Sequence, residues 1–341
     1  MSNVPHILVL RFSAMGDVAM TVPVLRALEE QHPNCKITVV SRAFFQPFFY
    51  TLNRTQFYSL DLENRHSGFL GIWRLFKDLK ALKITHVADL HNVLRTKKLC
   101  FLFKLVGIKV AQVNKGRNEK RQLIKANDKV FQPVKNMFNR HVDAFNTLGF
   151  AVNIANPTFP KALPLSSKIS QIAGVKNGRW IGIAPFAQYN GKVYPFDKMQ
   201  GVIGRLSLKA ADTIFLFGGG ETEKTKLFQL KNQYPNVIVV AGKLDLNEEM
   251  QLIAHLDVML SMDSGNGHIA AMLGKKVITL WGATHPYLGF TPFNQPEENS
   301  LMADRNLFPK LPTSVYGNKE VKGYENAMRT IPIEAICKKL L

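Results

Sequence analysis

Three glycine-bearing segments of this chain carry carboxylates or basic side chains at spacings suited to an anionic ligand. The most pointed is Ser261-Met-Asp263-Ser264-Gly265-Asn266-Gly267-His268, which follows the apolar run Val258-Met-Leu and leads into the small-residue stretch Ile269-Ala-Ala-Met-Leu273. A strand followed by a helix is expected there, with the glycines at the helix start. Backbone N–H groups and the positive end of the helix dipole then form a diphosphate site. Asp263 suits a ribose or sugar hydroxyl, and His268, one turn into the helix, could reach a phosphate oxygen or the sugar. A turn with Asx and Ser capping plus a buried histidine would use the same residue types; the full combination favours a ligand.

The second segment, Phe217-Gly-Gly-Gly-Glu221-Thr-Glu223, allows close backbone approach, and Glu221 or Glu223 could accept hydrogen bonds from a nucleoside. Equally, the glycines could form a plain turn with the glutamates in the first helical turn, where the dipole favours them. The third, Ala184 to Pro195, places Gly191 and Lys192 on a loop after a strand, where a lysine can neutralise a departing diphosphate. Nearer the start, Phe12-Ser-Ala-Met-Gly16-Asp17 follows the first strand and opens a helix. Gly16 permits a tight turn, and Asp17 reads either as a functional carboxylate or as a first-turn acid that complements the helix dipole. The Gly-x-Gly-x-x-Gly dinucleotide pattern is missing.

Metal chemistry is not expected. The sequence holds no Asp-x-Asp pair, no His-Glu-x-x-His and no paired cysteine motif. Lys192, backbone amides and a helix terminus would have to meet the charge of a leaving diphosphate. Cys35, Cys100 and Cys337 are odd in number and widely separated, which fits a reducing compartment. The first residues lack a signal-peptide pattern, and the lipophilic stretch 99–113 is interrupted by Lys104 and Lys109, so a cytoplasmic protein without a spanning helix is expected.

Net charge is +19. Residues 1–165 hold 24 Lys and Arg against 10 Asp and Glu, and the densest part runs from Arg95 to Lys129. Arg95, Lys98, Arg117, Lys120 and Arg121 in that part are candidate contacts for an anionic partner, whether phosphorylated lipid, membrane surface or nucleic acid. Nucleic acid is the weaker choice, because no recognised binding module appears and the basic residues do not interleave with stacking aromatics.

The elements that must hold these segments follow from hydrophobic patterning. In the first half, strands are expected at 7–11, 36–41 and 86–89, with a helix over 17–31. In the second half, strands are expected at 180–184, 213–217, 237–240, 258–261 and 277–280, with helices between them. Alternating strands and helices predict an α/β protein with parallel sheets. The length calls for two domains. A first Rossmann-like domain is placed at 1–160, a proline-bearing linker at 161–176, a second Rossmann-like domain at 177–325 and a terminal helical segment at 326–341. Ligands of such sheets bind beyond the strand C-termini, here expected on the facing edges of a central cleft.

Together these loops resemble glycosyltransferase family 9, the lipopolysaccharide heptosyltransferases with the GT-B arrangement of two Rossmann-like domains. The likeness rests on Ile7 to Val18 with Pro23-Val-Leu25, and on the segment Asp257 to Pro286 that ends Thr279-Leu-Trp-Gly-Ala-Thr-His-Pro286. Asp89-Leu-His-Asn-Val-Leu-Arg95 and Arg140-His-Val-Asp-Ala-Phe145 match weaker family patterns; the fit is poorest over 113–138 and after Pro296. The resemblance implies an inverting, metal-independent enzyme without a cofactor. Its donor would be a nucleotide-sugar, ADP-heptose, and its acceptor the phosphorylated lipid A and core oligosaccharide at the cytoplasmic face of a membrane. It further implies that Asp17 is the general base, that Lys192 stabilises the diphosphate, and that Asp263, Ser264, Gly265, Asn266 and His268 line the ADP-sugar site, with Glu221 or Glu223 near the nucleoside. The terminal helix would pack back on the first domain. A transferase of the same fold with another nucleotide-sugar or another glycan acceptor is the alternative.

Overall fold

The computed structural model describes residues 4–231 and 234–341. It divides into two compact units, Met1–Gly116 with Lys135–Phe159, and Arg117–Val134 with Pro160–Leu341.

The first unit runs β1 (His6–Leu10), α1 (Met15–Ala19), α2 (Val22–Gln31), β2 (Lys36–Arg42), β3 (Thr55–Leu60), α3 (Gly68–Ala81), β4 (His86–Asp89), α4 (Leu94–Leu105) and β5 (Lys109–Gln112). After α5 (Arg117–Leu123), which belongs to the second unit, α6 (Met137–Thr147) returns to the first. Its sheet is parallel in the order β3-β2-β1-β4-β5. Strand β1 lies in the middle, and all five of its residues are buried, hence the apolar run Ile7–Leu10 that follows His6. Leu10 stands opposite Asp89 of β4, so Arg11 and Leu90 leave the sheet side by side. Ile72, Leu75, Phe76 and Leu79 of α3, at helical spacing, pack with Leu99 and Phe103 of α4 against Leu8, Leu10 and Val87. The single helix expected over 17–31 is two. Pro23 has no N–H to give a continuous helix, and the Thr21 hydroxyl donates to Val18 O at 2.7 Å where α1 ends.

The second unit contains α7 (Ser167–Ala173), β6 (Trp180–Ala184), α8 (Phe196–Ser207), β7 (Thr213–Leu216), α9 (Glu221–Lys231), β8 (Val237–Val239), α10 (Leu246–Ile253), β9 (Val258–Met262), α11 (Gly265–Met272), β10 (Lys276–Trp281), β11 (Ser300–Met302) and α12 (Ile333–Leu340). Its parallel sheet has the order β11-β10-β9-β6-β7-β8. Ala184 of β6 stands opposite Ser261 of β9, and Met262 opposite Leu280 of β10. Three neighbouring strands therefore end level, and the loops after them emerge together.

Three expectations about organisation need correction. The stretch 161–176 is no bare linker: α7 lies in it, capped by the Ser166 hydroxyl, with Ile169 and Ala173 buried and Lys168 paired to Glu248 at 2.6 Å. Residues 117–134, assigned to the first domain, join the second unit through aromatic and polar contacts. Lys120 Nζ lies 3.7 Å from the Phe290 ring centre, Phe131 packs against His285 and Tyr287 with the Arg305 guanidinium over it, and Val134 N–H donates to Tyr287 O at 2.9 Å. The terminal helix α12 packs on α8 in the second unit rather than on the first, because Ile336, Cys337 and Leu340 complete that unit's hydrophobic core.

Candidate functional site

In the second unit the three level loops converge. Lys192 closes a short 3-10 turn, Asn190–Lys192, and its Nζ lies 2.9 Å from Asp263 Oδ2. The same carboxylate oxygen accepts from the Thr284 hydroxyl at 2.9 Å, and Asp263 and Thr284 are both buried. Asp263 follows β9 and Thr284 follows β10, so the cluster ties together loops from three adjacent strands.

Glycines bring these backbones into contact. Gly191 O accepts from Ala283 N–H at 2.8 Å, and a Cβ at Gly282 would lie 2.5 Å from Gly191 O. At Gly317, where φ is +81°, a Cβ would lie 2.3 Å from Lys192 Cδ. The lysine stem therefore lies flat on glycine backbone. This is close approach that no side chain would permit.

Helix α11 begins at the mouth of this cluster. Ser264 holds the N-cap position with extended backbone, yet its side chain makes no capping hydrogen bond. The Ser264 hydroxyl instead pairs with Ser261 Oγ at 3.0 Å, and Asp263 is taken by Lys192 and Thr284. The expected alternative of Asx and Ser capping is therefore not how this turn is built. Ser264, Gly265 and Asn266 are half-buried at the helix start, facing where an anion gains from the first-turn amides and the dipole. Gly267 has another reason to be glycine: a Cβ there would lie 3.2 Å from Ser261 Oγ, so it seats the helix against β9. His268 is buried one turn in.

The loop after β7 follows the plainer expectation. Glu223 accepts from Gly219 N–H at 2.8 Å and so closes its own loop, while Glu221 is exposed and pairs with Lys224 at 2.6 Å. Gly220 takes φ +76°; a Cβ at Gly219 would meet open space, and this backbone is left accessible to a planar ligand.

In the first unit Gly16 and Asp17 lie in α1, which has Ala14 at its N-cap. Asp17 does more than complement a dipole. Its carboxylate is 2.5 Å from Arg11 Nη2, and Arg11, only 3% exposed, also donates to Leu90 O at 2.7 Å. Asp17 remains 36% exposed, so a buried guanidinium fixes a reachable carboxylate. Next to this pair lies His91, whose pKa is lowered to about 3 by burial first and then by Arg11 and Lys115, against a raising effect of Asp17. It is a neutral imidazole at ordinary pH. Its loop is shaped by buried Asp89, whose Oδ1 accepts from the His91 and Asn92 N–H groups at 3.0 and 2.8 Å.

The basic candidates separate. Arg95 and Lys98 are on α4 of the first unit; Arg117, Lys120 and Arg121 are on α5 of the second. Lys98, Arg117 and Arg121 are exposed and Arg95 half-exposed. Lys120 is corrected: it is 3% exposed and lies over Phe290, so it holds α5 in place and is no surface contact for a large anion. Sequence reasoning missed Arg11, His91, Thr284, Gly282 and Gly317. Arg11 sat unremarked at the end of an apolar strand, and Thr284 and Gly282 inside a segment read only as a whole.

Among the described residues no three His, Cys, Asp or Glu side chains are grouped to hold a metal ion, and no helix is long and apolar enough to cross a membrane.

Comparison with known proteins agrees with this architecture. The family model described as glycosyltransferase family 9 (heptosyltransferase) matches residues 72–320. Lipooligosaccharide heptosyltransferase 2 of Haemophilus influenzae is 25% identical, covering 98% of both chains. Among solved structures, the glycosyl transferase family 9 protein of Veillonella parvula superposes with a TM-score of 0.74 at 17% identity, over 100% of this chain and 98% of its own. The E. coli heptosyltransferase WaaC with ADP gives 0.69 at 16% identity, over 98% of each. With two all-parallel sheets and a family match over most of its length, this chain belongs to glycosyltransferase family 9 and is a glycosyltransferase of the GT-B fold.

Proposed function

We propose that the enzyme transfers heptose from ADP-heptose to the phosphorylated inner core of a lipid A acceptor, with inversion and without a metal ion. The observation that carries the reading is the Lys192–Asp263–Thr284 cluster at the head of α11, whose N-cap Ser264 makes no side-chain capping hydrogen bond. An ammonium with three N–H groups, one of them directed at Asp263, has donors for a diphosphate, and the α11 amides supply more. Heptose and a lipooligosaccharide acceptor are supported by the name of the Haemophilus relative, and an adenine nucleotide by the ADP in the E. coli structure.

In this reading Asp17, oriented by Arg11, accepts the proton of an acceptor hydroxyl as that oxygen bonds to the anomeric carbon. The bond from that carbon to the diphosphate oxygen breaks, and ADP leaves with the electron pair toward Lys192. Attack opposite the leaving group inverts the configuration. Lys192 and the helix amides answer the growing negative charge where other transferases use a cation. Exposed Lys98, Arg117 and Arg121 suit acceptor phosphates at an anionic membrane face.

The test has three arms. ADP should raise the melting temperature more than GDP or UDP at equal concentration. Nuclear magnetic resonance of the product should show inverted anomeric configuration, and turnover should survive EDTA. A retained configuration refutes the role of Asp17, and activity lost to EDTA and restored by a divalent cation refutes metal independence.

A further inference from the structure

Helices α3 and α4 carry an outward face that the fold does not need. Their inward residues already fill the first unit's core. Outward on α3 stand Phe69, 76% exposed, with Leu70 and Trp73; outward on α4 stand Leu94, Phe101 and Leu105, the last 67% exposed. On α4 these alternate with Lys97, Lys98 and Lys104 at helical spacing; on α3, with Arg74, Lys77 and Lys80. The two faces are one surface, because the helices pack together and Lys98 Nζ lies 6.0 Å from the Phe69 ring centre. Lys77 likewise sits 5.8 Å from the Trp73 ring. Against seven basic side chains the helices hold one acid, Asp78, which is taken up by Arg65 at 2.8 Å and by the Tyr58 hydroxyl at 3.1 Å.

We infer that this face docks on the interface of an anionic phospholipid bilayer. Apolar side chains standing among lysines on helices parallel to a surface are what such an interface selects: aromatic and aliphatic groups enter the boundary between headgroups and acyl chains, and the ammonium groups stay with the phosphates. A second copy of the chain is a poor occupant, since pairing would bring two strongly basic faces together. The inference deepens the proposal of a membrane-borne acceptor and rests on it only for its purpose; vesicle binding is measured without any sugar.

The experiment uses the full chain and vesicles of phosphatidylcholine with or without phosphatidylglycerol, the acyl chains brominated to quench tryptophan. Trp180 and Trp281 are buried, so Trp73 reports insertion. Phosphatidylglycerol vesicles should bind the protein and quench its emission, and Trp73→Phe should remove most of the quenching while binding stays. Phe69→Ser with Phe101→Ser should weaken vesicle binding by about ten- to a hundredfold, from the apolar area withdrawn. Lys77→Glu with Lys97→Glu should weaken it about tenfold or more. Thermal melts close to wild type verify that these exposed replacements leave the fold intact. Unquenched emission, or wild-type binding by the Phe69→Ser, Phe101→Ser variant, overturns the docking face while leaving membrane association by other residues standing. No vesicle binding at all overturns both. Dimerisation in light scattering that the serine variant abolishes assigns the face to a second copy and overturns the lipid assignment. Sugar transfer to a delipidated acceptor fragment reads the chemistry separately and should be unchanged in the serine variant.

Discussion

Replacing Gly317 by alanine should disable the enzyme without unfolding it. The backbone there is left-handed, φ +81°, so any L side chain carries a strain of about 1–2 kcal/mol. In a unit of this size that is a loss of roughly 2–8 °C in melting temperature. The larger consequence is local. The new methyl carbon would lie 2.3 Å from Lys192 Cδ and 2.5 Å from Cγ, where non-bonded carbons need about 3.5–4.0 Å. The lysine stem must therefore move by about 1 Å or more, breaking its 2.9 Å contact with Asp263. For a charged group that meets the leaving diphosphate, as proposed for Lys192, a displacement of that order costs about 10²-fold in rate. Gly323 supplies the control: its φ is +84°, but a Cβ would meet nothing within 4 Å. Gly323→Ala thus carries the backbone strain without the collision. Steady-state ADP release and thermal melts on both variants separate the two effects. If Gly317→Ala and Gly323→Ala keep equal activity, Lys192 is not held by glycine contact or its position does not matter, and the reasoning fails.

Asp17→Asn should lower turnover by about 10²- to 10⁴-fold with nearly unchanged ADP affinity, read by single-turnover kinetics and calorimetry. Wild-type turnover in that variant removes Asp17 from the base role. Thr284→Val keeps the shape and removes the hydroxyl that donates to Asp263; melts should show a loss of about 1–3 kcal/mol from a buried carboxylate left short of a donor. Stability should also vary with pH through Glu249, whose pKa is raised to about 7, by burial first and by Asp245 second. The folded protein holds this proton where the unfolded chain has released it, so stability falls as pH rises from about 4.5 to about 7 and is flat above. Glu249→Gln should match wild type at pH 4 and exceed it at neutral pH; a constant difference between the two across that range refutes the assignment.

The buried strands were legible because each is covered on both faces. Trp180–Ala184 and Val258–Leu260 read as unbroken apolar runs for that reason. The three strands that escaped, β3, β5 and β11, all lie at sheet edges, where mixed exposure dilutes the pattern: Thr-Gln-Phe-Tyr-Ser-Leu in β3 does not look buried because it is only half so. In the site, residues with local signatures were found: Lys192 beside Gly191, and Asp263 ahead of two glycines. Arg11 and Gly317 were not, since a buried guanidinium and a glycine against a lysine stem depend on long-range neighbours that no local spacing encodes. Glu221 and Glu223 show the opposite case, in which a suggestive local pattern is largely used up by the loop's own hydrogen bonds.

The segment Arg117–Val134 has a consequence for how the protein is made. On the ribosome it emerges long before its supports. Lys129 waits for the carbonyls of Lys310 and Pro312, which lie 181 and 183 residues further along the chain. At about 5–20 residues per second that is a delay of roughly 10–35 s. During this interval the first unit can close through α6 while the strap dangles from it, with Phe131 and the stem of Lys120 uncovered. A shortened gene that starts at Pro160 would in turn produce a second unit with the aromatic seat of Phe290 and Tyr287 exposed, a sticky product despite its complete sheet. Dissection of this enzyme into expressible halves has to carry residues 117–134 over to the C-terminal piece, by circular permutation or by co-expression, instead of cutting at the apparent linker.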